Sequence, residues 1–134
     1  MSGNRGVVLA RLVVGGYWAY QGAWCKLLGR AAVQRRIVAG LPGVGPARSG
    51  AVLAAVGAAE VAMAAWVVAG RGRRLAAVVQ TVAVAGLDAT ALVLARAEVR
   101  RPARLLARNA AFLALAWVAA GGGSGGSRAR PEPR

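Results

Sequence analysis

The chain has 134 residues, of which 57% are hydrophobic and 16% are charged, and its mean hydropathy is +0.51. This length bounds the protein to one domain, and so few charges cannot solvate the surface of a soluble domain of that size. The formal net charge of +14 is carried mainly by arginines in short clusters between long apolar runs. That distribution favours charges flanking membrane helices and argues against nucleic-acid binding, which needs basic residues along one face.

The first apolar run extends over about residues 6–28 and is long enough to cross a hydrocarbon core of roughly 30 Å as an α-helix. A cleaved signal peptide is not favoured, because Arg11 interrupts the run and no convincing small-residue cleavage site follows it. The next interval is richer in polar and turn residues. Its first part, residues 30–39, is predicted to form a short helix at the membrane interface.

Three more apolar runs follow, and each is predicted to cross the membrane. They extend over about residues 50–70, 75–95 and 104–120. Residues 121–134 are rich in Gly, Ser and Arg and are predicted to form a disordered tail. The sequence therefore predicts an all-α protein, an integral membrane four-helix bundle over residues 1–120. The positive-inside rule does not set its orientation, because arginines flank both ends of the spans.

Polar residues at bilayer depth are informative, because a charge there costs roughly 2.5–3.5 kcal/mol on insertion scales. The helical rise places five of them, from all four predicted spans, towards the side of the first and third loops. They are Gln21, Lys26, Glu60, Asp88 and Asn109. One hypothesis is a polar pocket in which Lys26 attracts an anionic or quinone-like ligand and Glu60 exchanges protons. The alternative is structural: the same groups pair with one another to hold the helices together.

Small residues within the apolar runs predict where helices approach closely. The candidates are four glycines, Gly15, Gly16, Gly57 and Gly86. Arg11 is expected to extend its guanidinium group to the nearer membrane interface. Cys25 is expected to be an ordinary small apolar residue.

The sequence contains no recognisable enzymatic constellation. It has no histidine and a single cysteine, so it lacks the commonest metal ligand and cannot form an internal disulfide. It also lacks a nucleophile elbow and a phosphate-binding loop. We therefore expect no catalytic residue, no metal site and no resident cofactor, as in a non-catalytic membrane subunit.

Three short motifs carry a family resemblance. They are GAWCKLL at residues 22–28, GAAEVA at residues 57–62 and RNAAFL at residues 108–113. Their order and spacing resemble the DoxX-like family of small four-helix bacterial membrane proteins, over about residues 11–120. The positions that match the family pattern are Gly22, Lys26, Gly57, Glu60 and Asn109. Asp88 is outside that pattern, so its candidacy depends on its depth in the membrane.

The resemblance implies a multi-pass protein of the cell membrane. Named members of the family include the membrane subunit of a thiosulfate:quinone oxidoreductase, which implies an anchor or partner subunit of a redox system with quinone as a candidate ligand. A bundle without cofactor ligands would need a partner, such as a soluble oxidoreductase, for the redox chemistry. Two alternatives stay open: a small proton-coupled transporter, and an assembly or structural factor without catalysis. The sequence leaves homo-oligomer formation open.

Overall fold

The computed structural model describes residues 2–121, apart from the side chains of Ser2, Gly3 and Glu98. All regular structure in this part of the chain is helical, which confirms the all-α prediction. The predicted tail lies outside the described residues except for Gly121. The helices are α1 (Ser2–Ala19) with a π-helical continuation (Tyr20–Leu27), α2 (Ala32–Ala39), α3 (Gly45–Ala69), α4 (Arg73–Leu94), a 3₁₀ turn (Arg96–Glu98) and α5 (Pro102–Ala119).

Proline and glycine mark the boundaries of the long helices. Pro46 and Pro102 occupy the first turns of α3 and α5, where the missing amide hydrogen leaves no intrahelical bond unmade. Gly70 ends α3 in the left-handed conformation at φ 70°, and Gly72 precedes α4 at φ 56°. Both positions favour glycine, since a side chain is strained there. The connection between α3 and α4 is therefore short and sharply turned.

The π-helical continuation of α1 departs from the regular helix that the sequence predicts over residues 6–28. At its end, the Leu28 N–H donates to the carbonyl oxygen of Ala23, five residues earlier, at 3.0 Å. Residues five apart lie about 140° apart around an α-helix, whereas the wider π turn brings them closer to one face. The segment therefore allows Gln21 and Lys26 to face the same side of the bundle.

The four long helices pack unevenly around a small core. Helix α1 contacts both α3 and α5, and α4 packs mainly on α5, whereas the consecutive helices α3 and α4 have few contacts with each other. Helix α2 lies against α3. A cluster of buried side chains forms the core, towards the end of the bundle where α1 begins and α5 ends, called the chain-terminal end below. Its members are Val14, Trp18, Ala64, Val67, Ala76, Val84 and Ala116.

The outer surface of the bundle is apolar. Val93 is 76% exposed and Val82 is 68% exposed, and leucines such as Leu9 and Leu12 also face outwards. Among the described residues, α3 with 25 residues and α4 with 22 residues are long and apolar enough to cross a membrane. A contiguous apolar exterior of this kind is expected where helices face lipid rather than water.

Close helix approach occurs at some of the predicted glycines and not at others. A Cβ on Gly57 would lie 2.9 Å from the Cβ of Lys26, and one on Gly15 would lie 2.5 Å from Cγ2 of Val68. The prediction was wrong for Gly16 and Gly86, where an added Cβ would meet no neighbour within 4 Å. Their faces of α1 and α4 point away from the other helices, a property that residue size alone does not reveal.

Candidate functional site: a polar cavity between the helices

A cavity of about 550 Å³ lies where α3 and α4 separate. Helices α1, α2 and α5 and the π-helical segment complete its wall. All five polar residues selected from the sequence line it, namely Gln21, Lys26, Glu60, Asp88 and Asn109. The structure thus brings together side chains that are as many as 88 positions apart in the chain.

A buried ion pair joins the π-helical segment to α3. Nζ of Lys26 donates to both carboxylate oxygens of Glu60 at 2.7 Å, and the two side chains are only 6% and 7% exposed. The pair is possible because the backbones cross closely: a Cβ on Gly22 would lie 2.5 Å from the carbonyl oxygen of Gly57. Two opposite charges held this way in an apolar surrounding lower each other's desolvation cost.

A second polar pair links α4 to α5. Nδ2 of Asn109 donates to Oδ1 of Asp88 at 2.6 Å, and both side chains are partly buried. Gln21 makes a local bond instead, from its Nε2 to the hydroxyl oxygen of Tyr17 at 3.2 Å. Two of the five selected residues therefore form one pair, two form another, and Gln21 lies beside them without joining either pair.

Aromatic rings line the same cavity. The ring of Phe112 lies 4.7 Å from that of Tyr17 and 5.7 Å from that of Trp18, centroid to centroid, with an edge-on arrangement in the second pair. Nε1 of Trp18 donates to Oε1 of Gln80 at 2.8 Å. Gln80 is 2% exposed, and it is not among the residues selected from the sequence. Its depth within the third apolar run could have identified Gln80 as a candidate, because a buried amide in a membrane helix needs a hydrogen-bond partner, as a buried charge does.

Four arginines at the start of α5 and just before it also line the cavity. From the sequence, Arg100, Arg101 and Arg104 were interpreted only as charge flanking a span, and Arg108 as part of the RNAAFL motif. Arg101, Arg104 and Arg108 are three and then four residues apart, a spacing that places side chains on one face of a helix. The sequence therefore contained a signal that these arginines act together. These residues, called the arginine rim below, are Arg100, Arg101, Arg104 and Arg108.

Helix α2 contributes an unsatisfied acceptor to the wall. Oε1 of Gln34 is buried and has no hydrogen-bond partner, and it is the one such side-chain atom among the described residues. Buried polar atoms are rarely left in this state. Gln34 was not selected from the sequence, because α2 was expected to lie at the interface rather than over a cavity.

Arg11 has a more specific position than the sequence indicated. Its Nε donates to the carbonyl oxygen of Val67 at 3.2 Å, and its Nη2 donates to that of Val68. These carbonyls belong to the last turn of α3, where the regular intrahelical donors run out; the Val67 carbonyl also accepts from the N–H of Gly70 at 3.2 Å. Arg11 therefore caps α3 at the end of the bundle opposite to the cavity.

The described part of the chain contains no group of three or more His, Cys, Asp or Glu side chains that could hold a metal ion. Cys25 is a free, half-buried thiol. The arrangement that remains is a pocket with donors, acceptors and aromatic faces. Such a pocket can bind an amphipathic organic ligand and exchange protons with it.

The fold and the site together define a helical membrane protein with an internal polar cavity. The sequence model of the DoxX-like family matches residues 15–117, so the chain belongs to the DoxX-like family. The resemblance that the three motifs indicated is thereby confirmed. No curated protein and no solved structure gives a significant match to the chain.

Proposed function

We propose that the protein crosses the cell membrane four times and acts as an anchor or partner subunit of a redox system, with a quinone-like ligand in its cavity. The observation that carries the proposal is the buried Lys26–Glu60 pair in an aromatic-lined cavity. Helix α1 with its continuation and α5 are the additional spans. Their exposed Leu12, Leu106 and Val118 support this assignment.

The wall of the cavity suits a planar ring that carries oxygen atoms. The Lys26 ammonium and the Asn109 amide are donors for carbonyl oxygens, and the carboxylates of Glu60 and Asp88 are acceptors for hydroxyl groups. Tyr17 and Phe112 offer ring faces for stacking. A volume of about 550 Å³ lies within the usual range of small-molecule sites, roughly 300–1,000 Å³.

The proposed redox role divides the reaction between the membrane chain and its partner. Reduction of a quinone to a quinol takes two electrons and two protons. A soluble oxidoreductase partner supplies the two electrons, and the two protons are taken up from the aqueous phase through the cavity, where the Lys26–Glu60 pair passes protons to the ligand. The membrane chain therefore binds, orients and protonates the ligand, while the partner carries out the electron transfer.

The first test is binding of decylubiquinone to the full chain in lipid nanodiscs, followed by quenching of tryptophan fluorescence. We expect saturable quenching, because Trp18 lines the cavity. Glu60→Gln and Asp88→Asn keep the side-chain shape and should each weaken binding at least about tenfold, as expected for the loss of a hydrogen bond to a charged group. Thr90→Val is the control, since Thr90 is a half-buried polar residue of α4 that does not line the cavity.

The second test is purification from the native membrane in mild detergent at near-endogenous expression. Stoichiometric recovery of a soluble oxidoreductase is the expected result. Recovery of the chain alone contradicts the anchor role. Saturable uptake of a cation driven by a proton gradient in proteoliposomes, abolished by Glu60→Gln, would instead establish the transporter alternative.

A further inference from the structure

The arginine rim carries charge that no described side chain neutralises. None of its four guanidinium groups makes a hydrogen bond or ion pair with the described side chains of residues 4–97 and 99–121 or with the backbone of residues 2–121. Arg11, Arg48 and Arg96, by contrast, each donate to carbonyl oxygens. Four unpaired cations around one opening favour an anion as their partner.

The charges around the rest of the cavity do not compensate for the rim. Five cationic side chains and two carboxylates line the wall. Glu60 is paired with Lys26 and Asp88 accepts from Asn109, so neither carboxylate is bonded to an arginine. Each arginine beside an anionic membrane surface contributes about 1 kcal/mol, roughly fivefold in affinity, and arginine also matches phosphate in its hydrogen-bond geometry.

The position of the rim favours a lipid over a dissolved ion as the anion that binds there. Arg100 and Arg101 lie between the end of α4 and the start of α5, where a chain leaves the hydrocarbon core. Apolar side chains of the same helices continue from the rim along the wall, including Leu87, Ala91 and Leu105. A phosphate with acyl chains attached satisfies both parts of this surface, whereas a free oxyanion satisfies the rim alone.

Gln34 adds a requirement for a hydrogen-bond donor. Its buried Oε1 lies on the same wall and has no partner. A phosphodiester at ordinary pH has no donor of its own, so a donor that belongs to a bound phospholipid comes from the rest of the headgroup. Glycerol hydroxyl groups supply it.

We infer that the arginine rim binds the phosphate of an anionic phospholipid with a hydroxyl-bearing headgroup, such as a phosphatidylglycerol. The acyl chains follow the apolar wall, and a headgroup hydroxyl donates to Gln34. This lipid site lies at the mouth of the cavity and does not depend on the proposed redox role.

Native mass spectrometry of the full chain, released from nanodiscs of phosphatidylcholine with a minor fraction of phosphatidylglycerol, tests this inference. We expect one retained phosphatidylglycerol molecule. Arg104→Gln/Arg108→Gln should weaken retention at least tenfold, and Arg104→Lys/Arg108→Lys should recover part of it. The matched control is Arg73→Gln/Arg74→Gln, which removes the same charge at the start of α4, away from this cavity.

Equal losses in the two glutamine double variants would mean diffuse attraction to the membrane and would overturn the site. Displacement of the lipid by millimolar inorganic phosphate would show that a free oxyanion is the ligand, and would overturn the lipid assignment. Phosphatidylmethanol has the same charge but no hydroxyl group, so weaker retention supports the contact with Gln34 and equal retention removes it. Far-UV circular dichroism of each variant confirms that the helices are intact.

Discussion

The two ends of the bundle are built on different principles. At the chain-terminal end, Val14, Val67 and Ala116 are buried together, and Arg11 caps α3. At the opposite end, α3 and α4 separate and polar groups fill the wall between them. The first end is held by apolar packing, whereas the second is held by the close crossing of Gly22 and Gly57 and by a few polar pairs, and it leaves room for a ligand.

The difference shows how a small helical chain can combine stability with a binding site. Apolar contacts cannot favour helix association in lipid as strongly as in water, so close packing and polar bonds contribute more of the stability. Apolar packing dominates at one end, whereas at the other end the close crossing of the π-helical segment with α3 and a few polar bonds surround the cavity. Substitutions at the two ends should therefore have different consequences, as the following experiments would show.

The largest effect is expected from breaking the Lys26–Glu60 pair. Lys26→Met leaves Glu60 buried without its cation, which should cost about 3–5 kcal/mol. Lys26→Met/Glu60→Leu removes both charges and should recover most of that stability, while ligand binding stays lost. Reversible unfolding by SDS in mixed micelles, followed by circular dichroism, measures both variants. A double variant as unstable as the single one would contradict this account of the pair.

A smaller loss of stability is expected from replacing glycines with alanine, and its size should depend on the atoms that each new Cβ meets. Gly22→Ala places a Cβ 2.5 Å from a backbone oxygen of Gly57 and should cost about 2–3 kcal/mol, because overpacking against backbone cannot be relieved by a rotamer change. Gly15→Ala places a Cβ 2.5 Å from Cγ2 of Val68 and 3.4 Å from the carbonyl oxygen of Ala64. Because Val68 is 43% exposed and its side chain can move, this change should cost about 1 kcal/mol.

Gly16→Ala is the control for both glycine variants, since its face is open and alanine has the higher helix propensity. The same unfolding measurement applies to all three. If Gly15→Ala lowered the free energy of unfolding as much as Gly22→Ala, the prediction that the crossing of the π-helical segment and α3 is the more tightly packed contact would be contradicted.

A loss smaller than that of Gly22→Ala is expected from Gln80→Leu. This change leaves Nε1 of Trp18 without its acceptor and should cost about 1–2 kcal/mol. Trp18→Phe/Gln80→Leu removes both partners, and it should lose less than the sum of the two single variants. Additive losses, measured in the same double-mutant cycle, would show that the bond contributes nothing to stability.

Much of this architecture could be read from the order of residues. Apolar runs of suitable length predict helices, because every backbone group must be satisfied within the helix when lipid surrounds it. Depth along those helices selected Lys26, Glu60, Asp88 and Asn109, all of which line the cavity. The same rule applied to amides would have added Gln80.

Other features could not be read in this way because they depend on which faces meet. Gly16 and Gly86 have the same small size as Gly15 and Gly57, yet only the latter pair lies at helix crossings. The π-helical segment has no reliable sequence signal, although it allows Gln21 and Lys26 to face one side.

The sequence by itself determined that this is an all-α member of the DoxX-like family and which polar residues lie at depth, since hydrophobicity, helical rise and motif spacing are local properties. Only the tertiary structure decided the pairing of Lys26 with Glu60 and of Asp88 with Asn109. It also decided that Gln34 and the arginine rim face the same cavity. Such partners are chosen by how the helices rotate and cross, which depends on packing over the whole chain.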